Sequence, residues 1–368
     1  METARALFIL VRSIASPSAL RALLDKSGSP DAALLAGLRV WTELGLDADC
    51  IAALQQARLL NSDLAWLDTP GHHLIGWHDP DYPALLRRVP HPPAALFIAG
   101  DPELLWHPQV AVVGTRRPSA GGREHARRFA RDFTRSGFSV TSGLAEGIDT
   151  AAHLGAMEEG RTLAIIATGL DLCFPACNAG LLTSISQTGA VVSEFAPGTR
   201  ARREYFPRRN RLIAGLSLGT VVIEAAQRSG ALITARMAAD AGREVYALPG
   251  SILNPVARGC HRLIREGAGL VESPEEVIAG LAPVAAELAD ALRGRLSASL
   301  ASSNAASYPE PVDPEMRKLW RALDHDPANL DQLALRSGLT VATLSSMLLG
   351  MELEGRVVVE HGRYARRN

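Results

Sequence analysis

Between residues 110 and 248, short apolar runs recur along the chain: Val110–Val113, Phe138–Thr141, Leu163–Ala167, Ala190–Ser193, Thr220–Ile223 and Val245–Leu248. Most end in Gly, Ser, Thr or Pro, and most are separated by stretches with helical spacing. Continuous apolar runs, unlike alternating ones, predict strands buried on both faces. Strands alternating with helices predict a parallel sheet covered on both sides. The expected fold class is therefore α/β, an extended Rossmann-like parallel sheet core ending near Leu281.

The flanks carry different patterns. In residues 1–70, Leu20, Leu23, Leu24, Leu34 and Leu35 recur at helical spacing, with a break at Gly28 to Pro30, which predicts a small helical domain. Residues 71–109 are rich in proline and histidine and read as an ordered, irregular connector leading into the core, so the core domain is assigned 71–281. Residues 282–311 become Ala/Ser/Leu-rich, with Ser302, Ser303 and Ser307 ahead of Pro309 and Pro311. A fraying helix running into a flexible linker is expected there. Beyond it, Met316–Leu323, Leu330–Arg336 and Val341–Leu349 read as short amphipathic helices. The turn Ser337-Gly338-Leu339-Thr340 precedes the last of them, and Val357–Val359 with Arg363-Tyr364 suggests a hairpin. That order predicts a winged-helix-like domain over 312–368. Its candidate recognition helix, Thr340 to Met351, has no Arg or Lys, which speaks against a strong grip on duplex phosphates.

Composition narrows the function classes. The 368 residues are 47% hydrophobic, enough for one sizeable core with small satellites. No apolar stretch has transmembrane length, and the run Ala6 to Val11 is too short for a signal-peptide core; a cytoplasmic protein is expected. Cys50, Cys173, Cys177 and Cys260 complete no zinc set, so reduced thiols and no metal are expected. Net charge is −1 and announces no polyanionic partner. Yet Lys26 and Lys318 are the only lysines among 38 basic residues, so 36 are arginine. Coding bias explains that total as readily as phosphate recognition does, and placement must decide.

Four segments carry candidate chemistry. Gly114-Thr115-Arg116-Arg117-Pro118-Ser119 follows a strand and opens a helix, where backbone N–H groups, a helix N-terminus and two arginines suit a phosphate. It is neither a Walker A loop nor a dinucleotide fingerprint. Arg123, Arg127, Arg131 and Arg135 continue along one helix face and read as an ordinary solvated face. Ser142-Gly143-Leu144-Ala145-Glu146-Gly147-Ile148-Asp149 also lies between strand and helix, at the strand end where ligands of such sheets bind. Asp149 is expected to cap and His153 to pack; a catalytic Asp/His pair is the weaker reading. Arg200 to Arg211 holds six arginines against Glu204, with Tyr205, Phe206 and Pro207 interleaved. Cations grip phosphates while aromatic faces stack bases regardless of sequence. Ser229-Gly230-Ala231-Leu232-Ile233-Thr234-Ala235-Arg236 opens a further helix, with capping and anion binding evenly balanced.

Together, Val112–Pro118, Ser142–Ala145 with Gly147-Ile148-Asp149, Phe206–Arg211, Ser229–Arg236, and Leu248-Pro249-Gly250-Ser251 with Gly259-Cys260 resemble the DNA processing protein A family, also called Smf, across roughly residues 80 to 280. The flanks are similar too: a small helical N-terminal domain of the sterile-alpha-motif or helix-hairpin-helix kind, and a C-terminal winged helix. The resemblance implies a core that dimerises, binds single-stranded DNA and loads RecA recombinase onto it in natural transformation, with no catalysis and no cofactor. It implies that Gly114, Thr115, Arg116, Ser119, Ser142, Gly143, Arg208, Asn210 and Arg211 face phosphate and that Phe206 meets a base; Arg117, Leu144, Gly147, Arg209, Ser229, Gly230 and Thr234, from the same segments, complete the expected binding set. Glu146 stands within this set, and its carboxylate weakens phosphate binding unless it turns away or pairs with an arginine. Two other functions compete. A nucleotide-processing enzyme of the phosphoribohydrolase kind needs a Pro-Gly-Gly-x-Gly-Thr string, which is absent, and Glu224 is the nearest lone acid. A duplex-DNA regulator needs base-reading side chains on Thr340–Met351, where Ser345 and Ser346 are poor ones.

Overall fold

A computed structural model describes residues 2–304, 314–323, 328–353, 357–360 and 363–366. The chain divides into two compact units, Met1–Leu288 and Ala289–Asn368. Among the described residues no helix is long and apolar enough to cross a membrane.

The first unit is built on a nine-stranded sheet. In chain order its strands are β1 (His72–Gly76), β2 (Ala95–Gly100), β3 (Gln109–Val113), β4 (Ser139–Ser142), β5 (Thr162–Ile165), β6 (Ala190–Ser193), β7 (Gly219–Val222), β8 (Glu244–Ala247) and β9 (Gly269–Leu270). In space they run β1-β2-β6-β5-β4-β3-β7-β8-β9. From β6 to β9 all pairings are parallel. The six apolar runs read from the sequence are β3 to β8. Their period of two divides the core: Ala111 and Val113 face one apolar layer and Val110 and Val112 the other, as pleating requires.

The Pro/His-rich connector holds two strands that its composition conceals. Leu96, Phe97 and Ile98 of β2 are fully buried, and β2 pairs antiparallel with both β1 and β6. Prolines at 90, 92 and 93 signal a break, but they end before the buried run begins.

Six helices precede the sheet: α1 (Glu2–Ser13), α2 (Pro17–Ser27), α3 (Pro30–Leu35), α4 (Gly37–Glu43), α5 (Ala48–Gln55) and α6 (Asn61–Leu67). Leu20, Leu23 and Leu24 of α2 are buried, and the break at Gly28 is a left-handed C-cap followed by the Ser29 N-cap of α3. Leu35 is exposed instead. These helices are not a separate unit. Phe8 and Trp66 pack edge-on to Phe97 of β2, each at 5.2 Å between ring centroids. Arg12 Nε donates to the fully buried Asp63 at 3.0 Å.

The remaining α-helices of this unit are α7 (Ala84–Arg87), α8 (Ala120–Arg135), α9 (Ile148–Ala156), α10 (Ala179–Thr188), α11 (Tyr205–Leu216), α12 (Gly230–Asp240) and α13 (Arg258–Arg265), and α14 (Pro274–Asn304) begins in it and ends in the second. The exposed face of α8 is ion-paired: Arg127 and Arg131 with Glu158, and Arg135 with Glu159. Residues 282–304, expected to begin a linker, continue α14, because Ala, Leu and Glu are strong helix formers. Residues 305–311 of that expected linker lie outside the described residues.

The second unit contains α15 (Pro314–Ala322), α16 (Leu330–Ser337), α17 (Val341–Leu353) and an antiparallel hairpin of β10 (Val357–Glu360) and β11 (Arg363–Arg366). Its core gathers Leu319, Leu323, Leu333, Leu344, Leu348 and Met351. This is the helix–helix–helix–hairpin order of a winged helix.

Two buried polar arrangements generate stability predictions. Thr162 Oγ1 donates its hydroxyl proton to the Val140 carbonyl at 2.7 Å, so His153 Nδ1, 2.8 Å away, is the donor to Thr162, and the buried Nε2 has no partner among the described residues. Burial and the nearby Arg209 lower the His153 pKa to about 3. The folded state thus refuses a proton that the unfolded chain accepts near pH 6.5. Stability is lost as pH falls from 6.5 towards 3, with a limiting slope of about 1.4 kcal/mol per pH unit. Urea unfolding should show a steeper loss between pH 6.5 and 4 for the wild type than for His153→Gln; equal slopes would contradict this.

Glu194, at the exit of β6, has a side chain only 3% exposed. It accepts from Arg208 Nε at 3.0 Å and from Arg211 Nη2. Removing both arginines by Arg208→Ala with Arg211→Ala leaves a bare buried carboxylate and should cost about 3–5 kcal/mol. Adding Glu194→Gln should recover part of that loss in the same unfolding measurement.

Candidate nucleic-acid interface

The strand order reverses around β3: β4, β5 and β6 follow to one side, β7, β8 and β9 to the other. Such a switch point opens a crevice at the carboxyl ends of the strands. The loops after β3, β4 and β7 meet there, and α8, α9 and α12 begin there, so three helix N-termini add partial positive charge.

The loop after β3 is held from below. Thr115 N donates to the Glu224 carbonyl at 2.7 Å. The Glu224 side chain, just past β7, accepts from Ser119 N at 2.9 Å and Ser119 Oγ at 2.7 Å. Ser119 Oγ in turn accepts from Gly122 N and caps α8. The Ser119 hydroxyl is thus engaged by Glu224 and the α8 cap although the residue is exposed, as Arg116 and Arg117 are.

The loop after β4 turns on two glycines. A Cβ on Gly143 would stand 1.6 Å from Arg209 Nη1, so only a glycine lets this guanidinium lie against the backbone. Gly147 has φ +85°, and a Cβ there would stand 2.5 Å from the Thr115 carbonyl; the two loops touch backbone to backbone. Asp149 Oδ2 accepts from Gly143 N at 3.1 Å and Ala145 N at 3.3 Å, so the expected cap is a clamp on this loop. Ser142 is buried and donates to the Val112 carbonyl at 2.7 Å, and the Leu144 side chain is buried in the apolar core. Neither side chain faces the crevice.

From Tyr205 onward the arginine-rich segment is the start of α11. Pro207 sits in the first turn, where its missing N–H leaves no gap in the helix. The helix sorts the basic residues by side. Phe206, Arg209 and Asn210 line the crevice, whereas Arg208 and Arg211 turn to Glu194. The structure therefore does not bring those two together with the rest of the set.

Arg209 is the centre of the crevice. It is 6% exposed, donates from Nη1 to the Ile165 carbonyl at 3.1 Å, and has a buried Nε with no partner. Burial lowers its pKa and raises that of Asp149, each charge opposing the other's shift. Two adjoining clefts share Arg116, Ala145, Phe206 and Arg209. The larger, about 300 Å³, adds Gly114, Asn210, Ser229, Gly230 and Thr234. Ser229 caps α12 by accepting from Ala231 N at 3.3 Å. The smaller, about 260 Å³, adds Arg117, Gly143, Glu146, Phe174 and Pro175.

Phe174 is the residue that sequence reasoning missed. It is 48% exposed and its ring lies 5.6 Å from that of Phe206, with the Arg116 guanidinium 5.8 Å from the Phe206 centroid. Nothing in the string Cys173-Phe174-Pro175 marks it; the tertiary fold alone delivers it. Glu146 also lines this cleft. It accepts from the Cys177 thiol at 3.5 Å and has no ion-pair partner among the described residues, so it neither turns away nor pairs with an arginine. A surface of exposed arginine, paired aromatic faces and an incompletely satisfied buried guanidinium can hold phosphates and stack bases together.

Residues 73–282 match the family profile described as DNA recombination-mediator protein A, and residues 303–363 match the DprA winged helix domain. The chain is 39% identical over 309 residues to Protein Smf of Escherichia coli, covering 83% of this chain and 80% of that one. It is 45% identical over 202 residues to the DNA processing protein DprA of Streptococcus pneumoniae, covering 55% and 71%. The X-ray structure of the Streptococcus pneumoniae protein superposes with a TM-score of 0.68 at 35% identity, covering 75% of this chain and 97% of that one. DNA processing protein A from Helicobacter pylori, described for its unique single-stranded DNA binding mode, gives a TM-score of 0.52 at 28% identity over 55% and 93%. The chain belongs to the DNA recombination-mediator protein A family.

Proposed function

We propose that this protein binds single-stranded DNA in the crevice at the carboxyl edge of β3, β4 and β7, and hands it to a RecA recombinase without catalysing a reaction. The observation that carries the reading is the Phe206–Phe174 pair beneath Arg116, beside the buried Arg209. Bases stack on the rings, and phosphates lie along Arg116, Arg117, the Thr115 hydroxyl and the backbone of Gly114, Gly230 and the α12 start. Asn210 and Thr234 supply neutral hydrogen bonds. The described binding mode of the Helicobacter pylori relative supports this choice of ligand. The cytoplasm is the proposed location, and a homodimer through the sheet core the proposed assembly.

The competing functions find less support. Glu224, the acid a phosphoribohydrolase would use, is engaged by Ser119 and by Asn254 Nδ2 at 3.2 Å. A duplex reader would place α17 in a groove, and that helix carries neither Arg nor Lys.

Two variants test the division of labour, both read by fluorescence anisotropy of labelled oligo-dT across a salt series. Arg116→Ala with Arg117→Ala should weaken binding and reduce the slope of log K against log salt by about 0.7 for each phosphate no longer neutralised. Phe206→Ala should cost about 1–3 kcal/mol and leave the slope nearly unchanged. Folded variants with wild-type affinity would remove these residues from the interface.

A further inference from the structure

Phe206 has a neighbour that the crevice does not use. Consecutive residues on a helix project about 100° apart, and Tyr205 points away from the crevice into another cleft of about 260 Å³. That cleft lies between the α1–α2 corner, represented by Arg12 and Ile14, and the segment leaving β6, represented by Phe195 and Thr199.

The chemistry of the crevice recurs there. The Tyr205 ring stacks on Phe195 at 4.3 Å with 27° between planes. The Arg202 and Arg208 guanidinium groups lie 5.7 and 5.8 Å from its centroid. Glu194 also lines the cleft, but it faces both Arg208 and Arg211, so this cluster keeps a net positive charge. Arg208 is bound to Glu194 through Nε, and its two Nη groups make no hydrogen bond among the described residues. Arg202 is exposed and has no ion-pair partner among the described residues. An aromatic face flanked by two cations is the combination that takes a base with its adjoining phosphates.

Resting on the crevice reading above, we propose that single-stranded DNA does not end at Phe206. It crosses the first turn of α11 and places a further nucleotide in the second cleft. Tyr205 receives the base, which displaces the Arg202 guanidinium from over the ring. Arg202 and Arg208 then take the phosphates on either side. The helical N-terminal region forms one wall of this subsite through α1 and α2. The two rings are adjacent in sequence, so a strand leaving one meets the other directly.

The test compares labelled oligo-dT of about 4 and about 16 nucleotides, the span of common single-strand sites, on the full chain. Wild-type protein should bind the longer oligonucleotide more tightly. Tyr205→Ala should weaken the longer one about fivefold or more and leave the shorter one unchanged, whereas Phe206→Ala should weaken both. Tyr205→Phe should behave as wild type. Arg202→Glu, which replaces the exposed cation beside Tyr205 with an anion, should reproduce the selective loss on the longer oligonucleotide. Equal effects of Tyr205→Ala on both lengths, or none on either in a folded protein, or an inert Arg202→Glu, would overturn the second subsite. Failure of the wild type to bind either length would instead overturn the crevice reading itself.

Discussion

The interface depends on how Arg209 is buried. A guanidinium shielded from water is costly unless its donors are met and an opposite charge is near. Here the Ile165 carbonyl meets one donor, Asp149 supplies the charge, and Gly143 supplies room. Asp149 is simultaneously the acceptor that folds the loop after β4. Loop shape and charge are therefore one arrangement: the carboxylate that stabilises the cation also shapes the wall beside it. The unpartnered Nε leaves the arginine short of full satisfaction.

Helix α11 organises what surrounds this centre. Its first two turns present Phe206, Arg209 and Asn210 to one side and Tyr205 and Arg208 to the other. Its later turns bury Leu212, Ile213 and Leu216 against the sheet. Glu194 ties Arg208 and Arg211 to the exit of β6. The same pair that reads as phosphate-binding in the sequence thus positions the helix that carries Phe206. Loss of Arg211 acts on stability first and on binding through it.

The parallel sheet is legible in the sequence because its strands are buried on both faces and show as unbroken apolar runs. Strands β1 and β2 are not, because proline and histidine around them mask a short buried run. The loops of the interface are legible through glycines whose neighbours leave no room for a side chain. What cannot be read is which way a side chain points. Ser119, Ser142, Leu144, Arg208 and Arg211 lie in the segments expected to form the site, yet each has a polar group or side chain engaged within the fold. Phe174 lies in a stretch with no motif of its own, yet stands against Phe206. Sidedness follows from packing, which a linear pattern does not contain.

If single-stranded DNA occupies the crevice, one of its bases lies against the Phe206–Phe174 pair. Photo-crosslinking an oligo-dT that carries 5-bromodeoxyuridine to the full chain, followed by mass spectrometry of the crosslinked peptides, tests this most directly. Crosslinks are expected in the peptides that contain Phe206 or Phe174. Crosslinks confined to residues 314–366, with none at either phenylalanine, would contradict that placement and move the DNA site to the winged-helix unit.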